Sequence, residues 1–381
     1  MFQHLVIGRL AGLGIQVQAE SERLRLTFNT GERFDLEVHD QGFWRDWVLR
    51  GSLGLGETYV DGKWDIANDQ LQPLIRAFMT CGAAELRPLE KLYHRTARAL
   101  GVGHDKNDPS GSHRDSSHHY DRGNDLFKSF LDDDMVYSCA FFDDPDWDLE
   151  MAQRHKIDVT LNRLDIFEGA RVLDMGCGWG SLAIEAAQRG AEVTGFALAE
   201  QQIALARERA AERGMKIQFE VADYRTFADA HLGMFDRIAS VGLMEAVGRR
   251  QYKTFFGAIG KLLKPGGKAV VHSIVDWPFG PIIPWLERYI FPGGEVPQVN
   301  DMICEAEQMG LRVESSPYHH DGINYAKTLA HWRERFLTEY PGLDHEKYPE
   351  RFKRMWLFYL ASCEAAFLGT SLHNAQVVYR R

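Results

Sequence analysis

The chain has 381 residues, 45% of them hydrophobic and 26% charged, with a formal net charge of −10. That length predicts about two domains with a sizeable core, and the acidic balance excludes broad nucleic-acid affinity, which needs an electropositive face. No apolar run approaches the ~18 residues of a membrane span. Five cysteines (Cys81, Cys139, Cys177, Cys304 and Cys363) are odd in number and scattered, so free thiols are expected rather than a disulfide framework or a zinc site. Residues 1–10 lack both the basic start and the apolar core of a cleavable leader, which makes the cytoplasm the expected compartment.

In chain order, residues 1–100 read as a small α+β domain. Alternation over 23–28 predicts a strand, 71–81 a helix, and 89–100 a basic helix behind Pro88, whose fixed φ suits a first turn. Residues 101–117 are polar, glycine-rich and without periodicity, and mark a linker. From 118 to 381 a second domain is expected. It alternates strands at 172–174, 192–196, 216–221, 235–241 and 268–273 with helices ending near 189 and spanning 200–213. Such βαβ alternation predicts a doubly wound, mostly parallel sheet with ligands at the carboxyl ends of its strands. Residues beyond 276 read as an aromatic-rich insertion and C-terminal helices. The basic clusters Arg249, Arg250, Lys253 and Arg351, Lys353, Arg354 read first as solvated helix faces and second as anion sites.

Residues 171–180 carry the main chemical signal. A buried strand runs into Asp174-Met175-Gly176-Cys177-Gly178-Trp179-Gly180 and then a helix, so glycines let the backbone turn tightly beneath a ligand. The acid precedes the glycines, whereas dinucleotide enzymes open on Gly-x-Gly-x-x-Gly and place theirs about 20 residues later. The pattern resembles motif I of S-adenosylmethionine (SAM) methyltransferases. On that reading Asp174 and the Gly176, Cys177 and Gly178 backbone serve the methionine end of SAM, Gln202 the ribose, and Asp223 with Tyr224 the adenine. The acid usual at the end of the second strand is missing, and Glu200 is as well suited to capping a helix as to holding a ligand.

Three further segments, His119 to Phe127, Tyr137-Ser138-Cys139-Ala140-Phe141-Phe142 and Val241 to Gly248, closely resemble the cyclopropane fatty acid synthase family, as does Gly51 to Trp64 upstream. The resemblance spans nearly the whole chain and implies a Rossmann-like class I SAM methyltransferase domain joined to a smaller N-terminal α+β domain for lipid contact or dimerisation. It implies methyl transfer from SAM to a cis double bond of a phospholipid acyl chain, a carbocation, and proton removal by a bound bicarbonate. The family's bicarbonate positions match Cys139, Glu245, His272, the Ile274 backbone and Tyr325, and its cofactor positions include Tyr137 and Ser138. Aromatic faces stabilise cations, and Tyr137, Phe141, Phe142, Trp179, Tyr289, Phe291, Tyr318 and Tyr325 are the expected lining.

Two departures stand out. Ala246 replaces the histidine usual after the glutamate, and Ala197 and Ala199 replace hydroxyl residues near the ribose. Two alternatives therefore stay open, a lipid C-methyltransferase making a methyl-branched or methylene fatty acid and a silent SAM- or lipid-binding protein. An acyl substrate in a bilayer further implies reversible, peripheral contact with the inner membrane surface, expected through the basic residues 91–98 or the Arg351 to Arg354 cluster. A homodimer is the oligomer the resemblance suggests.

Overall fold

The computed structural model describes residues 1–81, 123–277 and 283–381. The expected linker and the basic 91–98 helix lie outside them. Two compact units emerge, and they depart from the linear division at residue 118. Of the described residues, the first unit takes 1–81, 283–290 and 329–371, and the second takes 123–277, 291–328 and 372–381.

In the first unit, β1 (Gln16–Glu20), β2 (Arg23–Thr27), β3 (Arg33–Val38) and β4 (Trp64–Asp65) form an antiparallel sheet in that order. Alternation sets its faces: Phe34, Leu36 and Val38 are buried while Arg33, Asp35 and Glu37 point to water. Arg25 and Asp35 are cross-strand partners on the wet face and pair at 2.6 Å. The helix Gly42–Val60 is broken at Gly51, whose φ of 56° and ψ of −132° only glycine adopts readily. The C-terminal helix Glu350–Gly369 buries Trp356, Leu357, Phe358 and Tyr359 in this unit. Local sequence marks that helix as amphipathic but not which core receives it.

The Arg351, Lys353, Arg354 cluster is spoken for. Arg354 donates to the Tyr59 and Trp64 carbonyls at 2.6 and 2.9 Å and to Asp65 at 2.5 Å, Arg351 pairs with Asp61 at 3.0 Å, and Lys353 pairs with Glu350 at 3.3 Å. Its charge is thus largely balanced within the unit. Among the described residues no helix is long and apolar enough to cross a membrane.

The second unit is built on a mixed sheet. Its strands are β5 (Arg171–Met175), β6 (Glu192–Ala197), β7 (Gln218–Val221), β8 (Phe235–Val241), β9 (Leu263–Val275), β10 (Arg312–Val313), β11 (Tyr318–His320) and β12 (His373–Arg380). The order is β7-β6-β5-β8-β9-β12-β10, with β11 also on β12. Strands β5 to β9 run parallel, as the alternation predicts, and β12 enters antiparallel beside β9. That last strand corrects the all-helical reading of the C-terminus. Six of its eight residues are buried, including Asn374 and Gln376, so it lacks the polar alternation of a surface strand.

Period-two alternation splits the core across the sheet. Leu173, Met175, Ile238 and Val271 pack on the helices Tyr224–Ala230, Tyr252–Leu262 and Val299–Gln308. Val172, Val193, Ala239, Val270 and Val378 pack on Leu149–Arg163, Ser181–Gln188 and Glu200–Glu212.

Gly56 provides a packing test in the first unit. A Cβ there would lie 2.5 Å from Trp285 and 2.7 Å from Phe358. Gly56→Ala is therefore expected to destabilise the protein by about 1–3 kcal/mol through overpacking. Chemical denaturation would measure it, and an unchanged midpoint would contradict the tight fit.

Candidate active site

The carboxyl end of β5 turns through three glycines with positive φ, Gly176 (85°), Gly178 (53°) and Gly180 (84°). The Gly176 and Cys177 N–H groups both donate to the Phe196 carbonyl at 3.0 Å, tying the turn to the end of β6. A Cβ on Gly180 would strike Phe219 at 2.9 Å, whereas one on Gly178 would meet nothing within 4 Å. Gly178 thus presents bare backbone to an open space.

Asp174 lies buried beneath this turn. The Ala183 N–H supports its carboxylate, yet Oδ2 has no hydrogen-bond partner among the described residues. Burial raises its pKa to about 7, against the opposing pull of Lys156. An unsatisfied buried acceptor beside an open glycine turn fits the ammonium of the methionine moiety of SAM. Gln202 is buried in the first turn of Glu200–Glu212, close in sequence to the end of β6, and Glu200 is exposed.

The two adenine candidates, Asp223 and Tyr224, have contacts within the protein. Asp223 caps the helix Tyr224–Ala230 through the Arg225 N–H at 2.9 Å, and both its oxygens accept from the Arg225 guanidinium at 2.7 and 2.6 Å. Tyr224 packs into the core with Phe227 and Phe255, and burial pushes its hydroxyl up to about 12. Asp223 thus balances an arginine, while the Tyr224 ring is packed in the interior with its hydroxyl buried and without a hydrogen-bond partner among the described residues.

The helix Leu149–Arg163 supplies what the sequence reading missed. Gln153, Lys156, Thr160 and Arg163 recur at helical spacing and three of them are fully buried. Gln153 donates to the Ser138 carbonyl at 2.8 Å, and Lys156 donates to the Ser138 hydroxyl at 2.9 Å. Burial lowers the Lys156 pKa to about 8, while Asp132, Cys139 and Asp174 act to raise it. Polar residues in phase with Leu149, Ala152 and Leu161 were the available signal.

Of the five anion-site candidates, two meet directly. The Ile274 N–H donates to Glu245 Oε1 at 2.7 Å, so this backbone group anchors the carboxylate. Glu245 Oε2 is buried without a hydrogen-bond partner among the described residues, and burial raises the pKa of the group. His272, at the end of β9, is buried, and burial holds its pKa well below the ordinary imidazole value, with Lys156 adding to the effect. Its Nε2 lies 2.8 Å from Asn374 Nδ2 and its Nδ1 lies 3.2 Å from Gln376 Nε2. The Cys139 thiol is buried and its pKa raised by desolvation, so it is no thiolate nucleophile.

Tyr325 sits between two residues that fasten its helix to the Cys139 loop. The Phe142 N–H donates to Asn324 Oδ1 at 2.8 Å and the Ala140 N–H to Thr328 Oγ1 at 3.0 Å. Among the proposed aromatics, Phe141 stacks on His272 and His320, with centroids 5.6 and 3.7 Å away. Tyr137 and Trp179 flank Phe127, and Tyr318 lies under the Arg163 guanidinium. Tyr289 belongs to the first unit, where it donates to Glu57 at 2.8 Å, which removes it from the catalytic unit. Ala246 is exposed in a short 3-10 turn.

The sheet order, the acid-before-glycine turn and the helix behind it define a class I SAM-dependent methyltransferase. The sequence description of mycolic acid cyclopropane synthetases matches residues 107–377. The cyclopropane-fatty-acyl-phospholipid synthase of Escherichia coli strain K12 is 35% identical over 362 residues, covering 94% of this chain and 91% of the relative. The tuberculostearic acid methyltransferase UfaA1 of Mycobacterium tuberculosis is 36% identical over 337 residues, covering 83% of this chain and 76% of its own. In structure, the cyclopropane synthase MmaA2 of Mycobacterium tuberculosis aligns with a TM-score of 0.65 at 28% identity, covering 71% of this chain and 98% of that one. The chain belongs to the mycolic acid cyclopropane synthetase family.

The Asp174 environment predicts a trade between stability and binding. A folded pKa near 7 against 3.8 unfolded means that the native state holds the proton more tightly. Stability therefore falls as pH rises from about 4 to 7 and stays reduced above it. Asp174→Asn should raise the melting temperature of the ligand-free protein at pH 8 by at least about 2 °C, with no gain near pH 4. It should also weaken SAM binding roughly 10-fold or more, as loss of a charge-assisted hydrogen bond does. Thermal scans and calorimetric titration test both halves.

Proposed function

We propose that the protein cyclopropanates cis double bonds in the unsaturated acyl chains of membrane phospholipids, using SAM as methyl donor and bicarbonate as base. The observation that carries the reading is the Glu245 carboxylate. It is tethered by one oxygen to the Ile274 N–H and leaves the other buried and unsatisfied, at the same sheet edge as the glycine turn. When bound, SAM supplies an electrophilic methyl group, and the net change is gain of CH2 because one proton leaves after a methyl cation is added.

The chain's own residues account for the rest. Asp174 and the Gly176 to Gly178 backbone orient the donor, and Tyr137, Ser138 and Gln202 complete its contacts. Glu245 Oε2 accepts from the hydroxyl of bicarbonate and so directs its basic oxygens toward the proton to be removed. His272 and Tyr325 donate to that anion, and Cys139 fills the floor. Keeping His272 neutral matters, because an imidazolium would repel a neighbouring carbocation. Phe141 adds an aromatic face suited to developing positive charge, and the surrounding apolar side chains exclude water that would trap it.

Reversible contact with the membrane surface and a homodimer extend this reading. A methyl-branched product is the second reading, favoured by Ala246 and by the likeness to a tuberculostearic acid methyltransferase.

Purified protein incubated with SAM, bicarbonate and vesicles of cis-unsaturated phospholipid should yield fatty acids heavier by one CH2, with upfield ring protons by NMR. A saturated branch would add two further hydrogens and a methylene product would show vinylidene protons, and either would overturn cyclopropanation. Glu245→Gln should lower turnover about 10²- to 10⁴-fold, the range of a lost acid–base group, while SAM binding persists. Unchanged turnover would remove Glu245 from the chemistry.

A further inference from the structure

The antiparallel pairing of β12 with β9 sets Gln376 opposite His272 and Asn374 opposite Ile274. Residues two apart on a strand share a face, and the two carboxamides meet the two ring nitrogens of His272, Gln376 at Nδ1 and Asn374 at Nε2. All three side chains are buried, so each polar atom needs a defined partner.

The orientation of Gln376 is over-determined. Its Oε1 accepts from the Arg163 guanidinium, which has no acceptor of its own. Its Nε2 lies 2.9 Å from the Thr160 hydroxyl. That hydroxyl gives its single hydrogen to the Lys156 carbonyl at 2.7 Å, so toward Gln376 it accepts. The second hydrogen on Gln376 Nε2 therefore points at His272 Nδ1, which must be the unprotonated nitrogen.

We propose that Gln376 is a positioning residue that fixes His272 as the neutral Nε2–H tautomer, locked from behind by Arg163 and Thr160. The ring's single proton is then on Nε2, beside Asn374, and an anion would reach it as a second acceptor. Two N–H groups cannot face one another, so the Asn374 carboxamide turns its Oδ1 toward Nε2–H. That turn gives Oδ1 the partner it otherwise lacks among the described residues and moves Nδ2 into the position Oδ1 held. Stacking against Phe141, at an interplanar angle of 22°, holds the ring in plane while the carboxamides fix its protons.

The effect on turnover rests on the reading of His272 as part of the anion site, but the tautomer does not. In the full-length protein labelled with 15N-histidine, two-bond 1H–15N correlation distinguishes Nδ1–H from Nε2–H, and a His272→Gln sample assigns the signal. The wild type is expected to show Nε2–H with Nδ1 unprotonated. Gln376→Glu keeps an acceptor for Arg163 but places a carboxylate against Nδ1, so the ring should become Nδ1–H or imidazolium. Turnover on unsaturated phospholipid should fall at least about 10-fold, as when a catalytic histidine is held in the wrong tautomer, with SAM binding retained.

A wild-type Nδ1–H ring overturns the proposal, and that spectrum decides the matter even if the variant fails to fold. Lost turnover in Gln376→Glu with an unaltered ring also overturns it. The expected tautomers together with a wild type inert on phospholipid would uphold the Gln376 assignment and refute the proposed function instead.

Discussion

Two carboxylates withheld from water set the terms for the catalytic unit. Asp174 in β5 and Glu245 just beyond the adjacent β8 each accept a backbone N–H on one side and lack a protein partner for one buried oxygen. Burying ionisable groups this way is unfavourable, and the surrounding polar network partly offsets it. Lys156 acts electrostatically on Asp174, Cys139 and His272, and its hydrogen bond to Ser138 ties the same charge to the Cys139 loop. The glycine turn, the Cys139 loop and the ends of β8 and β9 are thus parts of one electrostatic environment.

Much of this was legible in the sequence because it depends on local rules. Alternating strands and helices predict parallel strands, and spaced glycines after a strand predict a tight turn at its carboxyl end, which Gly176 to Gly180 form. Consecutive strands also deliver Glu245 and His272 to one sheet edge, since parallel topology leaves little choice.

What was illegible depends on distant partners. The register of β12 on β9 spans about a hundred residues, and nothing near Gln376 announces that it faces His272. Nothing in the sequence near Ile274 shows that its N–H is taken up by Glu245. Asp223 looks like a loop acid until Arg225 closes on both oxygens, and Arg354 looks like a free cation until Asp65 and two carbonyls surround it. Lys156 was hidden differently. A lysine in a helix is normally assigned to solvent, and only its phase with the apolar residues argues otherwise.

The unsatisfied oxygen of Asp174 also links the protein's persistence to metabolism. A ligand that binds the folded form and not the unfolded chain stabilises it in proportion to the logarithm of its concentration over its dissociation constant. On the proposed reading that ligand is SAM and it would also give the buried Asp174 oxygen a partner, so the folded population would follow the supply of methyl donor. Unfolded chains are the ones that proteases remove. On the proposed reading, the carboxylate that orients the donor would therefore also couple the folded population of the protein to the concentration of donor.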